Sequence, residues 1–201
     1  MFQFIESIKW SDGKPYRLPF HQQRVNQVCD DFFHGRKTIN LYEIIESQPI
    51  PSDGIYKVRI TFDEQTENIE FSPYQLRKIS CLKTVITDIP TTYYKSNDRT
   101  KINEAFLRKG NCDDVLLIKN SLITDTSYAN VALYDGKCWF TPETPLIYGT
   151  QRSYLLSHNK IKTKHIAARD IPHYKSICLF NAMIEFEEIV IPVKMIDMDF
   201  E

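Results

Sequence analysis

The sequence lacks the features that mark membrane, secreted and nucleic-acid-binding proteins. No apolar run approaches the roughly 20 residues that are needed to span a bilayer. Residues 1–6 (MFQFIE) have no basic region followed by an apolar one, so they do not resemble a signal peptide. The 25 Lys and Arg residues nearly balance the 26 Asp and Glu residues, and the net charge of −1 gives no preference for nucleic acid or anionic membrane. We therefore predict a cytoplasmic protein with neither nucleic-acid nor membrane partners.

Cysteine is sparse and shows no functional spacing. The five cysteines are widely separated, their number is odd, and no C-x-x-C pair occurs; they are Cys29, Cys81, Cys112, Cys138 and Cys178. Such a pattern supports neither a disulfide framework nor a zinc site. We therefore predict reduced, mostly buried thiols and no bound metal.

The composition that remains is that of an ordinary globular chain. The 201 residues are 42% hydrophobic and 25% charged, and this length suggests one large or two small domains. Helical and strand patterns are mixed without strict alternation, which predicts an α+β fold. The pattern changes between residues 72 and 90. We therefore predict an N-terminal domain at residues 1–88, a sheet with helices, and a C-terminal domain at 89–201 with a mixed, partly barrel-like sheet.

Periodicity and turn residues predict the individual elements. Apolar residues at helical spacing predict four helices, at residues 19–33, 41–47, 99–109 and 151–158. Alternating or continuous apolar runs between turn signals predict strands at 2–10, 55–62, 67–71, 79–87, 115–118, 128–134, 137–140, 164–168, 176–180 and 189–194.

Short motifs follow one another in a characteristic order along most of the chain. IESIK at residues 5–9 is followed by HQQR at 21–24, and KSNDR, which opens with Lys95, occupies 95–99. TDTSYAN then occurs at 124–130 and GTQR at 149–152. In this order the motifs resemble those of the fold-type IV pyridoxal-phosphate enzymes, the class IV aminotransferase family. That family includes branched-chain and D-amino-acid aminotransferases and aminodeoxychorismate lyase.

The resemblance implies a two-domain class IV aminotransferase-like fold, pyridoxal 5'-phosphate as cofactor, and a role for each matching residue. Lys95 takes the position of the lysine that holds the cofactor as a Schiff base and acts in catalysis. Arg24 matches the arginine that reaches the cofactor phosphate, and Asp125 stands where the family has a glutamate against the pyridine nitrogen. The phosphate turn matches Gly149, Thr150 and Gln151.

The resemblance also suggests which residues line a substrate pocket, although other interpretations stay open for them. The pocket candidates are Glu6, Ser7, Tyr128 and Asn181. An exposed strand carboxylate is an equally good interpretation of Glu6. His21 and Arg99 are interpreted as structural residues, one packing a helix and the other forming an ion pair or a helix cap.

Three departures from the family pattern are present. Asp125 is one methylene shorter than the family's glutamate, so it would need a small shift to reach the same ring atom. Thr150 and Gln151 reverse the usual order of an apolar residue followed by threonine in the phosphate turn. Family members usually begin with a further strand and a D-x-G-x-x-x-G-D-G segment, and this sequence starts after both.

The endings FNAM at 180–183 and IPV at 191–193 resemble those of aminodeoxychorismate lyases. The resemblance therefore favours a lyase that makes 4-aminobenzoate and pyruvate from 4-amino-4-deoxychorismate, a step of folate biosynthesis. The alternatives are a branched-chain or D-amino-acid aminotransferase, and a degenerate relative that binds a ligand or partner without catalysis. A homodimer acting on a small-molecule amine is implied in the first two cases.

Overall fold

The computed structural model describes residues 3–198, which form two compact units. The first unit extends to Leu76 and includes the later segment Tyr93–Asp98, while the second contains Arg77–Thr92 and the chain from Arg99 onward. The chain first passes from the first unit to the second after Leu76, within the interval of residues 72–90 where the sequence pattern changes. The division differs from the predicted boundary between residues 88 and 89, because a short segment returns to the first unit after the chain has left it.

The first unit contains a four-stranded antiparallel sheet and two helices. Its elements are β1 (Phe4–Ser11), β2 (Lys14–Pro15), α1 (Leu18–Phe33), α2 (Leu41–Glu46), β3 (Ile55–Phe62) and β4 (Glu67–Pro73). The strand order is β2-β1-β3-β4, and β3 pairs with β1 along the whole length of both strands. Alternation in β3 buries Val58, Ile60 and Phe62, which pack in the core of this unit. Strand β3 has the predicted bounds of residues 55–62. Residue 2, the first residue of the strand predicted at 2–10, lies outside the described residues.

Helix α1 forms because its apolar residues fall on one face. Val25, Val28 and Phe33 are buried at helical spacing and belong to the core beneath the sheet. Pro19 lies in the first turn, where the missing N–H is not needed. The helix ends before Gly35, whose φ of 71° is in the left-handed region that favours glycine.

The segment Tyr93–Asp98 runs along the edge of β1 that β3 leaves open. The backbone N–H of Ile5 donates to the carbonyl of Lys95 at 2.8 Å, and the N–H of Asn97 donates to the carbonyl of Gln3 at 2.9 Å. The ring of Tyr94 packs edge-on against Phe4, with ring centroids 5.4 Å apart. Backbone pairing and an aromatic contact therefore fix the residues on both sides of Lys95.

The second unit contains nine strands in a branched mixed sheet. Its strands are β5 (Leu82–Ile86), β6 (Asp114–Lys119), β7 (Leu122–Thr126), β8 (Asn130–Tyr134), β9 (Trp139–Pro142), β10 (Lys162–Lys164), β11 (Ser176–Phe180), β12 (Ile189–Pro192) and β13 (Ile196–Asp197). The main path is β10-β9-β8-β7-β6-β5-β13, and β11 joins β8 to β12. Strand β8 has partners on both edges, and its first four residues are buried, with Val131 and Leu133 in the largest apolar cluster of this unit.

Short helices complete the second unit. They are the α-helices α3 (Thr100–Leu107) and α4 (Thr150–Ser157) and two 3₁₀ turns, Ala168–His173 and Val193–Met195. Within residues 3–198, no helix is both long enough and apolar enough to cross a membrane.

Several strand predictions differ from the structure of this unit; the strand predicted at 189–194, for example, ends at Pro192, where the second 3₁₀ turn follows. Strand β7 was not predicted, because its sequence LITDT is polar at three positions; those polar residues are nevertheless buried and hydrogen-bonded within the unit. The predicted strand at residues 164–168 is wrong beyond Lys164. The chain instead enters the 3₁₀ turn, and only an isolated bridge joins Ala167 to Leu122.

The prediction of five reduced cysteines is wrong for one pair. Cys81 and Cys112 form a disulfide, with their Cα atoms 4.9 Å apart. The reason is topological: β5 and β6 are parallel neighbours with Leu82 opposite Asp114, so the residues that precede these strands lie side by side. The free thiols of Cys29 and Cys178 are buried and that of Cys138 is half-buried, as predicted.

A core substitution in β8 should destabilise the second unit strongly. Leu133 is fully buried in its largest apolar cluster, so Leu133→Ala should lower the free energy of unfolding by about 2–5 kcal/mol through lost burial and a residual cavity. Leu107→Ala is the matched control, because Leu107 is 80% exposed and its loss should change that free energy by less than about 0.5 kcal/mol. Urea unfolding of both variants measures the difference; equal effects would contradict the assigned core.

Candidate active site

Lys95 lies beside β1 in the first unit. Its Nζ is 3.2 Å from the hydroxyl oxygen of Ser7, and the lysine side chain is half-buried while Ser7 is buried. A lysine that forms a Schiff base with an aldehyde reacts as its neutral amine. The structure thus brings together Lys95 and Ser7, two residues that are 88 positions apart in the sequence.

The residue before Ser7 belongs to a buried charged cluster. Glu6 accepts hydrogen bonds on both carboxylate oxygens from Arg24, from Nε at 2.7 Å and from one terminal guanidinium nitrogen, Nη2, also at 2.7 Å. The Oε2 atom of Glu6 also lies 2.5 Å from Nδ1 of His21. Glu6 is therefore not an exposed strand carboxylate, and His21 does more than pack a helix.

Burial and charge act in opposite directions on this cluster. Burial alone would raise the pKa of Glu6, but the adjacent Arg24 charge and the His21 contact lower it to about 2. Burial lowers the pKa of His21 despite the nearby carboxylate. At neutral pH the cluster therefore contains an ionised Glu6, a charged Arg24 and a neutral His21 that donates from Nδ1.

In the second unit, Asp125 and Asn130 face each other across β7 and β8. The Nδ2 atom of Asn130 donates to Oδ1 of Asp125 at 2.7 Å and to the carbonyl of Ile147 at 2.8 Å. The N–H of Ile147 donates to Oδ2 of Asp125 at 2.9 Å. Three residues thus close a ring of hydrogen bonds that fixes both oxygens of the Asp125 carboxylate.

The environment of Asp125 favours its protonated form more than water does. Burial raises the pKa of Asp125 to about 6, although the Asn130 and Ile147 hydrogen bonds and the Arg152 charge oppose the rise. A carboxylate with such a pKa is well suited to pair with a cationic ring nitrogen, because a positive partner would relieve the cost of its burial.

The start of helix α4 has the properties of an anion site. Gly149 is its N-cap, no side chain caps the helix, and the first turn contains no acidic residue. Thr150, Gln151 and Arg152 follow and are all buried. The amide of Gln151 donates to Glu185 at 3.3 Å, so its backbone rather than its side chain is suited to bind phosphate.

Gly149 is constrained by Asn130. A Cβ atom added at Gly149 would lie 2.1 Å from Oδ1 of Asn130, far inside van der Waals contact. The asparagine that orients Asp125 therefore also requires a glycine at the N-cap of α4.

Three further predicted residues make contacts within the second unit. Asn181 donates from Nδ2 to the carbonyl of Tyr128 at 3.1 Å, and its Oδ1 accepts from the backbone N–H groups of Met183 and Ile184. Arg99 donates to the carbonyl of Ser127 at 2.7 Å, and as the N-cap residue of α3 it makes no side-chain cap bond, so its predicted role as an ion-pair partner stays a prediction. The substrate-pocket roles of Tyr128 and Asn181 stay predictions.

Sequence analysis missed some residues of the site and did not predict the contacts of others. The i, i+3 spacing of His21 and Arg24 on one helix face is a signal that could have joined them to one strand carboxylate. Asn130 ends the TDTSYAN motif, but no sequence pattern indicates its contact with Ile147 or its approach to Gly149. No group of three or more His, Cys, Asp or Glu residues able to hold a metal occurs in the part of the chain that the structure describes.

Comparisons with known proteins identify the family of this chain. A family model described as amino-transferase class IV matches residues 55–194. The chain belongs to this family. It therefore belongs to a group of pyridoxal-phosphate-dependent enzymes, and the predicted α+β class IV aminotransferase-like fold is confirmed.

Individual relatives extend the match over most of the chain. An uncharacterized protein of Haemophilus influenzae is 32% identical over 185 residues, covering 91% of this chain and 98% of that protein. A Haemophilus somnus structure, provisionally named 4-amino-4-deoxychorismate lyase, is 30% identical with a TM-score of 0.85 and covers 91% and 97% of the two chains. The pyridoxal-phosphate-bound form of a hypothetical Mycobacterium tuberculosis aminotransferase has a TM-score of 0.71 at 15% identity, covering 97% and 81%, and shows the fold alone.

The residues present fit pyridoxal phosphate in their chemistry. Lys95 is a partly desolvated amine, Asp125 is a buried carboxylate suited to a cationic ring nitrogen, and the uncapped start of α4 suits a phosphate.

The steric coupling between Gly149 and Asn130 can be measured. Gly149→Ala should lower the free energy of unfolding by about 1–3 kcal/mol, because the new methyl group overlaps the Asn130 side chain. In an Asn130→Ala background the overlapping atoms are gone, so the same change should cost less than about 1 kcal/mol. A double-mutant cycle by urea unfolding tests this prediction, and additive effects would contradict it.

The raised pKa of Asp125 predicts a specific dependence of stability on pH. Its pKa rises from an ordinary value of 3.8 to about 6 on folding, so the folded protein binds this proton more tightly than the unfolded chain does. The stabilising contribution is complete below about pH 4, is lost as pH rises to about 6, and is constant above that range. The loss should total about 3 kcal/mol.

The variant Asp125→Asn is the natural reference because its amide cannot ionise. The difference in unfolding free energy between the cofactor-free wild type and this variant should decrease between about pH 4 and pH 6 and then level off. Urea unfolding across pH measures this difference, and a difference that does not change with pH would refute the shifted pKa.

Proposed function

We propose that this protein is a pyridoxal-phosphate-dependent 4-amino-4-deoxychorismate lyase that releases 4-aminobenzoate and pyruvate. The carrying observation is the placement of Lys95, a half-buried amine within reach of Ser7, in a member of this family. The choice of lyase is supported by similarity to the Haemophilus somnus protein of that provisional name, at 30% identity and a TM-score of 0.85. The FNAM and IPV endings support the same choice.

Lys95 has two roles in this proposal. Its Nζ would hold the cofactor covalently. Once released, Nζ would remove the proton from the amine-bearing carbon of the substrate, acting as a general base. The C–O bond to the enolpyruvyl group would break as the substrate ring becomes aromatic, and the proton held by Nζ would be returned to the methylene carbon of the enolpyruvate to give pyruvate. Ser7 positions Nζ through the 3.2 Å contact.

Asp125 is the proposed partner of the cofactor's ring nitrogen. When bound, the cofactor supplies an electron sink for the carbon that loses its proton. An ionised Asp125 keeps the ring nitrogen protonated, and Asn130 with the Ile147 N–H holds the carboxylate in one orientation. Because the side chain of Asp125 is one methylene shorter than that of glutamate, its contact with the ring nitrogen depends more strongly on this fixed orientation.

Arg24 and the first turn of α4 are the proposed phosphate ligands. Arg24 offers guanidinium N–H groups, and the backbone N–H groups after Gly149 point along a helix whose N-terminus favours anions. The hydroxyl of Thr150 is an additional donor. We also propose that the protein acts as a homodimer, as family members generally do.

Replacement of the lysine tests the shared core of the lyase and aminotransferase hypotheses. Borohydride reduction after addition of pyridoxal phosphate should leave a phosphopyridoxyl group on Lys95 of the wild type, detected by mass spectrometry of peptides. Lys95→Ala should lose this adduct and its turnover should fall by at least about 1,000-fold, because both anchor and base are gone. Lys101→Ala, at an exposed lysine of α3, should retain both. Retained turnover in Lys95→Ala would end the assignment.

Pyruvate release without any keto acid then separates the two reactions. A lyase releases pyruvate from 4-amino-4-deoxychorismate with no second substrate, whereas an aminotransferase requires a keto-acid acceptor. Pyruvate formation in the absence of an acceptor supports the lyase; turnover only when a keto acid is added would support the aminotransferase. An adduct without either activity would indicate a relative that retains the cofactor but lacks both reactions.

A further inference from the structure

We propose that His21 is a positioning residue for the cofactor phosphate. It fixes the carboxylate of Glu6, and Glu6 in turn orients Arg24 so that one defined terminal nitrogen, Nη1, remains to bind the phosphate. This inference rests on the proposed role of Arg24 and adds two residues behind it. All three residues lie in the first unit, on β1 and α1.

The pairing between Arg24 and Glu6 is side-on. A guanidinium has five N–H groups: one on Nε and two on each terminal nitrogen. Glu6 takes Nε and the terminal nitrogen Nη2 at 2.7 Å each, and Nη1 makes no hydrogen bond to any residue of the described chain. The rigid plane of the guanidinium therefore fixes the direction of both Nη1 donors as soon as the Glu6 carboxylate is fixed.

Glu6 needs its third contact to keep that orientation. The glutamate is only 2% exposed, so water cannot replace a missing donor, and a carboxylate held by a single partner can rotate with it. His21 has no exposed surface and reaches Oε2 of Glu6 from one helical turn before Arg24. Two donors from the same helix face thus hold the carboxylate from two directions.

The cluster contributes geometry rather than net charge. The charges of Glu6 and Arg24 cancel, and His21 is neutral because burial lowers its pKa. Arg24 therefore acts as an aligned donor, and most of the favourable charge for a phosphate has to come from elsewhere. The strength of a hydrogen bond from Arg24 to a phosphate depends on the orientation of the guanidinium. Loss of the His21 contact should therefore lower the affinity for the phosphate, which can be measured.

A pair of ligands separates positioning from simple packing. Pyridoxal 5'-phosphate and pyridoxal share the aldehyde that reacts with Lys95, but pyridoxal has no phosphate. His21→Ala should weaken the affinity for pyridoxal 5'-phosphate by about tenfold, the effect of one charged hydrogen bond, and leave the affinity for pyridoxal within about twofold. Dissociation constants from quenching of intrinsic fluorescence provide a readout that does not depend on turnover.

Two further variants complete the experiment. His21→Asn places an amide donor where Nδ1 lies and should recover most of the lost phosphate affinity. Gln23→Ala, at an exposed position of the same helix, should behave as wild type. Circular dichroism and thermal unfolding of each variant show whether the fold is retained.

The outcomes distinguish this inference from the proposed function. A loss confined to pyridoxal 5'-phosphate, with recovery in His21→Asn, supports the positioning role. Equal weakening of both ligands, no weakening, or no recovery in a folded His21→Asn would overturn it while leaving the Lys95 assignment intact. A wild type that forms no adduct on Lys95 would overturn the proposed function and this inference together.

Discussion

The return of Tyr93–Asp98 to the open edge of β1 is the constraint on which the first half of the site depends. Lys95 is not part of a regular strand or helix. Its position is set by the hydrogen bond that its own carbonyl accepts from Ile5 and by the one that Asn97 donates to Gln3. The Tyr94 ring adds an apolar anchor against Phe4. Because Ser7 lies in β1, the same backbone pairing that places Lys95 also brings its Nζ to the Ser7 hydroxyl.

The second unit uses one side chain for two purposes. Asn130 has an amide with two donors and one acceptor, and both donors bind the Asp125–Ile147 pair. Its oxygen approaches Gly149 so closely that any side chain there would overlap it. Asn130 thus both orients the buried Asp125 carboxylate and requires glycine at the N-cap of α4, although it has no assigned role in the chemistry.

Much of the fold could be predicted because local patterns decide it. The helix at 19–33 and the strand at 55–62 follow directly from apolar periodicity, and the structure has them at almost the same residues. Strand β7 could not be predicted, because its polar residues are stabilised by partners distant in sequence rather than by an apolar face. The disulfide between Cys81 and Cys112 was not predicted for a similar reason, because the spacing of the cysteines does not show that β5 and β6 pair in parallel.

The site shows the same distinction. The ordered motifs indicated Lys95, Arg24 and Asp125 through their resemblance to the family, whereas residue type alone would not have singled them out. They did not indicate that Glu6 is held by His21, or that Ile147 completes the ring around Asp125, since these contacts depend on which backbone atoms meet in space. Candidate residues could be named from the motifs, whereas the contacts that support them required coordinates.

The discontinuous first unit also has a consequence for synthesis on the ribosome. Its sheet and helices are encoded before residue 77, but the segment that covers the remaining edge of β1 is not encoded until residues 93–98. A nascent chain can therefore form the four-stranded sheet while that edge is still open and able to pair with another strand. The same short segment that carries Lys95 would close this edge, so the placement of Lys95 and the protection of the edge against misassembly occur in one step.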